Sequence, residues 1–146
     1  MSGAGTTTGL DLATVSVGDT LPEQQVPITR TLIVATAMAS RDYQDVHHDP
    51  ALAQERGSKD IFMNILTSNG LVDRYATAWA GPAARVKRVK IRLGAPNYPG
   101  DTMVLRGEVT AKDDAARTVD LKVVGQNSLG PHVSGTVTLQ LPEVPA

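Results

Sequence analysis

From Arg88 to Leu141 the chain alternates apolar and polar residues with a period of two. Val89, Ile91 and Leu93 fall on one face, and Arg88, Lys90 and Arg92 on the other. Met103 to Thr110, Thr118 to Gln126 and a last stretch through Val133, Val137, Leu139 and Leu141 repeat the pattern. A half-buried strand requires this alternation, because successive side chains point to opposite faces. Turn-forming runs separate the segments: Tyr98-Pro99-Gly100-Asp101, Asp113-Asp114-Ala115-Ala116 and Asn127 to Gly130. Links this short predict antiparallel neighbours in a four-stranded meander.

Upstream the period lengthens. Ile61, Ile65, Leu66, Val72, Tyr75, Ala76 and Trp79 gather on one helical face, predicting a long helix over roughly Ile61 to Ala80 that begins at Asp60 and stops at Gly81-Pro82. Twenty helical residues span about 30 Å, enough to cross a sheet. Asp49-Pro50 predicts a second helix start and Gly57 its stop. Thr31 to Ser40 mixes β-branched residues with alanines and is read as a short helix from about Leu32. Gln24 to Arg30 is a candidate first strand, at an edge or bulged because of Pro27. Val15 to Pro22 is a turn-rich lead-in with its turn at Gly18-Asp19. Residues 1–14 are expected to form a flexible tail, and residues 15–146 a single domain. A long helix wrapped by a curled antiparallel sheet is an α+β layer solution, the plan of the hotdog fold.

Composition narrows the function. With 146 residues the chain suits one core, and a net charge of −1 supplies no basic field for nucleic acid or an anionic membrane. There is no cysteine, which removes disulfides, thiol nucleophiles and cysteine-ligated metals. No apolar run is long enough to span a bilayer, and the N-terminus lacks a signal-peptide pattern, so a cytoplasmic location is expected. With one Trp, one Phe and three Tyr, the core relies on aliphatic residues, a hint of burial against a partner chain.

Chemistry concentrates in Arg41 to Ala53, RDYQDVHHDPALA, where two histidines and three aspartates crowd together just before a helix start. Spacing alone leaves two readings of Asp42 and His47: an acid/base pair, or loop residues making turn and cap hydrogen bonds. His48 is read as a solvated or interface residue, Asp49 as an N-cap and Asp45 as exposed. A metal site at His47-His48-Asp49 lacks further ligands. The stripe Lys87, Arg88, Lys90 and Arg92 is either the wet face of a strand or a contact for phosphates. Met63 and Trp79 are read as core or interface, and His132 as a turn residue.

This stretch resembles the hydratase motif of the MaoC-like, or (R)-specific enoyl-CoA hydratase, family: Asp-x-Asn-Pro-(Leu/Ile/Val)-His, followed by x-Asp-Pro. Asp42, Val46, His47 and Asp49-Pro50 match it; Gln44 stands where Asn is usual and Asp45 where Pro is usual. The resemblance runs from about Val17 to Leu141. It takes in VGDTLP, Tyr98-Pro99-Gly100-Asp101, and IFMNILTS, which is similar to the family's Ile-x-His-Gly-Met-Leu with Asn64 at the Gly. The phrases RDYQDVHHD, GSKDIF and NILT look like the small subunits of actinobacterial heteromeric hydratases of steroid side chains.

The resemblance implies that Asp42 and His47 hold a water that adds to an enoyl-CoA, and that the backbone N–H of Asn64 stabilises the thioester oxygen. Gln44, Arg88, Lys90 and Arg92 are candidate substrate contacts. No metal or redox cofactor is expected, since the substrate carries its own coenzyme A. The implied partners are a second MaoC-like chain, paired as a second hotdog in an α2β2 heteromer, and a thiolase-like aldolase. Two alternatives remain: a non-catalytic hotdog that completes a partner hydratase, and a hotdog acyl-CoA thioesterase.

Overall fold

A computed structural model describes residues 9–143. Three helices, α1 (Arg30–Ala39), α2 (Pro50–Glu55) and α3 (Ile65–Ala80), accompany five strands: β1 (Thr20–Pro27), β2 (Arg85–Leu93), β3 (Thr102–Asp113), β4 (Thr118–Asn127) and β5 (Gly130–Gln140). The strands form one antiparallel sheet in the order β1-β3-β4-β5-β2. The sheet wraps α3, giving the hotdog arrangement that the alternation and the long helix implied.

The core is the inner face of that sheet against one face of α3. Met103, Leu105, Val109, Val119, Leu121, Val123, Val137 and Leu139 are buried on the strands. Thr67, Ser68, Leu71, Val72, Tyr75, Ala76 and Ala80 are buried on α3, at the three- and four-residue spacing of a helix stripe. Each large apolar side chain so buried contributes about 1.5–3 kcal/mol. β1 lies at a sheet edge and is bulged between Leu21 and Gln24, as Pro27 suggested.

Three expectations are corrected. The meander is β3-β4-β5 only: β1 occupies the free edge of β3, so β2 adds to the far edge of β5 despite its short link to β3. The long helix begins at Ile65, not Ile61, because Asn64 is its cap and Ile61–Met63 lie outside any helix or strand, with Phe62 N–H donating to Val46 O and Met63 N–H to Asn97 O. The tail expected over residues 1–14 shortens. Leu12 is buried within a 3₁₀ turn (Leu12–Thr14) and Leu10 N–H donates to Ala80 O, so packing begins upstream of Val15. Residues 1–8 lie outside the described residues.

Candidate active site

Asp42 owes its position to the way α1 stops. Arg41 takes the left-handed conformation (φ 56°), Arg41 N–H donates to Met38 O, and Asp42 N–H donates to Ala37 O. This is the Schellman stop that normally uses glycine, here built on arginine at some backbone cost. Asp42 therefore leaves the helix in a fixed direction. Five residues on, a 3₁₀ turn (Asp45–His47) buries His47 beneath it.

Asp42 Oδ2 and His47 Nε2 lie 3.4 Å apart. His47 Nδ1 lies 2.7 Å from the Phe62 carbonyl oxygen, and the Phe62 ring meets the imidazole edge-on at 5.1 Å between centroids. A carbonyl only accepts, so Nδ1 carries the proton and Nε2 is the nitrogen that exchanges protons toward Asp42. The histidine is only 7 % exposed, while Asp42 is half-buried and reachable. The pair can thus grip a single small molecule such as water between carboxylate and imidazole.

Asn64 caps α3: its Oδ1 accepts from Thr67 N–H (3.0 Å) and from the Thr67 hydroxyl. Its Nδ2 donates to Ser40 Oγ (2.9 Å) and to Asp42 Oδ2 (3.1 Å). Among the described residues no protein acceptor takes the Asn64 backbone N–H, so an uncommitted amide stands at the helix N-terminus next to the pair. Such an amide suits a developing oxyanion.

The other candidate residues sort differently. Gln44 precedes the 3₁₀ turn with an exposed side chain that makes no cap bond, and its N–H reaches Asp42 Oδ1 at 3.4 Å. Arg88, Lys90 and Arg92 pair with Thr138, Thr136 and Ser134 on the outer face of the sheet, away from α3. Lys90 and Arg92 line a shallow depression there with Lys122, so the structure does not bring them to Asp42 and His47. Asp49 caps α2, accepting from Ala51 and Leu52 N–H. His47 and His48 do not converge: His48 Nε2 turns to Tyr43 O at 3.2 Å. No cluster of three or more His, Cys, Asp or Glu able to hold a metal occurs among the described residues.

Two side chains behave otherwise than expected. Asp45 is half-buried and paired with Arg56 (2.7 Å), whose guanidinium holds its carboxyl below the usual range. His132 is no turn residue: it is buried in β5, with Nε2 2.7 Å from Ser68 Oγ and Nδ1 2.6 Å from Ala95 O. Burial pushes its pKa down. The sequence reading missed the Asn64 side chain, the Phe62 carbonyl and the supporting hydroxyls of Ser40 and Thr67. Of these only Asn64 left a signal, as an N-cap residue type before an apolar run.

A long helix wrapped by a five-stranded antiparallel sheet is the hotdog class, and similar solved structures share that fold. The chain belongs to the MaoC-like family, whose model, described as a MaoC like domain, matches residues 14–128. It is 55 % identical over 125 residues to the 3-oxo-4,17-pregnadiene-20-carboxyl-CoA hydratase beta subunit of Mycobacterium tuberculosis, covering 86 % of this chain and 95 % of that one. Among solved structures it is similar to a chain of the ChsH1-ChsH2 complex from the same organism (TM-score 0.84, 53 % identity, 87 % and 98 % coverage). It is also similar to the R-hydratase PhaJ1 from Pseudomonas aeruginosa (TM-score 0.83, 25 % identity, 93 % and 88 % coverage).

Proposed function

We propose that the chain is a catalytic subunit of a cytoplasmic enoyl-CoA hydratase that adds water across the α,β double bond of an acyl-CoA, with a steroid side chain as the acyl group. The observation that carries this reading is the geometry of the pair. Asp42 Oδ2 and His47 Nε2 face each other at 3.4 Å, and the other imidazole nitrogen is committed to the Phe62 carbonyl. Hydration needs a water deprotonated as its oxygen adds to Cβ, and a proton delivered to Cα. A carboxylate and an imidazole sharing one water supply both, and the negative charge that collects on the thioester oxygen falls to the Asn64 N–H. The site residues are Asp42, His47 and the Asn64 amide. The steroid assignment draws on the substrate in the name of the 55 % identical relative.

The likeness to a chain of the ChsH1-ChsH2 complex supports a heteromeric partner subunit; the proposal makes that partner a second MaoC-like chain in an α2β2 assembly, with a thiolase-like aldolase receiving the hydrated product. Apolar side chains around the site are exposed in the single chain: Met38, Tyr43, Leu52, Ile65 and Leu66. An apolar rim of this kind suits burial by a partner and an acyl group. The experiment is to co-express the chain with a MaoC-like partner, add the enoyl-CoA, and follow both the mass of the thioester and free thiol. Gain of one water without thiol supports hydration, whereas thiol release would make it a thioesterase. A second reading, a non-catalytic subunit, is favoured by the departures at Gln44, Asp45 and Asn64, and activity independent of Asp42 and His47 would establish it.

A further inference from the structure

We infer that the side-chain carboxamide of Asn64 is a positioning residue for the Asp42 carboxylate, locking the acid/base pair of one loop to the first turn of α3. The inference rests on the hydratase reading of that pair. Asn64 is 1 % exposed, and its carboxamide is engaged on both sides. The group cannot be turned over. Thr67 N–H only donates, so Oδ1 must face Thr67 and Nδ2 must face Asp42 and Ser40. A side chain held in one orientation by the helix it caps therefore aims a donor at Oδ2, the oxygen that stands 3.4 Å from His47 Nε2.

The other bonds at Asp42 do not fix that oxygen. Its backbone N–H is held by Ala37 O, and Oδ1 has only the long 3.4 Å approach of Gln44 N–H. Without Asn64 the carboxylate keeps its place on the chain but is free to rotate about its own side-chain bonds. Oδ2 then leaves the one geometry in which it and Nε2 share a water. Ser40, bonded to the same Nδ2, sits at the C-cap of α1, so the carboxamide also ties the end of α1 to the start of α3.

The test uses the full chain co-purified with the MaoC-like chain it assembles with, and the enoyl-CoA 3-oxo-4,17-pregnadiene-20-carboxyl-CoA. Asn64→Ser keeps a cap as good as asparagine and the backbone N–H, but is too short to reach Asp42. It is expected to lose about 10- to 100-fold in kcat, with KM within about twofold and the melting temperature close to that of the unaltered chain. Asn64→Asp also caps, but sets a carboxylate against Asp42, and is expected to lose more. Thr67→Val keeps the Asn64 side chain and removes only the hydroxyl on Oδ1, so a smaller loss, again in kcat, is expected. Unaltered kcat in Asn64→Ser and Thr67→Val, or a loss carried by KM alone, overturns the positioning role. Asp42→Asn separates the two claims. If that variant is inactive while Asn64→Ser is fully active, only the positioning role falls; if Asp42→Asn is itself active, the hydratase reading falls first.

Discussion

Replacing Ser68 with alanine should destabilise the fold through His132, and the size of the effect follows from the bonds. Burial keeps the His132 imidazole neutral, and the Ala95 carbonyl fixes the ring proton on Nδ1. Nε2 is therefore an acceptor, and the Ser68 hydroxyl, itself fully buried, is its donor at 2.7 Å. Deleting the hydroxyl leaves a buried ring nitrogen unpaired, which costs about 1–3 kcal/mol. For a domain of this size that lowers the melting temperature by roughly 3–9 °C. The assay is urea denaturation of both proteins at pH 7.5. A Ser68→Ala variant within about 0.5 kcal/mol of the unaltered chain would refute the assigned bond and tautomer.

The same histidine sets a pH dependence. Its folded pKa is depressed below the ordinary 6.5, so the unfolded chain binds the proton more readily. Its stability contribution is complete above about pH 6.5 and is lost as pH falls from there through the folded value, with a slope of at most about 1.4 kcal/mol per pH unit. The carboxyls of Asp45, Asp60 and Asp101 are held low by Arg56, Arg30 and Ser128, so their contributions are lost only in a lower window, below their ordinary value of 3.8. Denaturation midpoints measured from pH 7.5 to 5 should therefore fall in the unaltered chain and flatten in His132→Gln. A flat profile in the unaltered chain contradicts the sign.

Gly70 lies inside α3, and a Cβ built there meets nothing within 4 Å. Gly70→Ala should therefore raise the stability of the chain by about 0.5–1 kcal/mol, read as a shift in urea midpoint. Lys90 and Arg92 face away from the Asp–His pair, so Lys90→Ala with Arg92→Ala should leave kcat unchanged in the hydration assay, and a large loss in kcat would place them at the reaction after all. Gly135→Ala should be destabilising by about 3 kcal/mol, because its Cβ would overlap the Lys90 carbonyl where β2 joins β5; urea denaturation would show it.

The residues differ in how much of this they announced. The strands of the meander and the apolar face of α3 were legible because burial on one side imposes a period, and Asp49-Pro50 and Gly57 because caps demand particular residue types. The position of β2 was not legible: a short link says that two strands can be neighbours, while pairing depends on which sheet edge is free. The start of α3 was misplaced because Asp60 is as good a cap type as Asn64. Asp60 is instead engaged by Arg30, thirty residues away. His132 after Gly130-Pro131 looked like a turn, and only the long-range contact with Ser68 reveals it as core. At the site, the motif letters exposed Asp42 and His47. The groups that orient them, Asn64 Nδ2 and the Phe62 carbonyl, act across 22 and 15 residues of sequence; the cap pattern marks Asn64 as a helix start, but no local pattern shows either group reaching the pair.

The most direct measurement is the mass of the enoyl-CoA after incubation with the co-purified complex carrying Asp42→Asn or His47→Gln, beside the unaltered complex. If the pair performs the hydration, the unaltered complex adds one water and releases no thiol, and each variant loses about 10²- to 10⁴-fold in rate while remaining folded and assembled. Hydration at the unaltered rate by both variants would contradict it and leave the chain a scaffold for chemistry done by its partner.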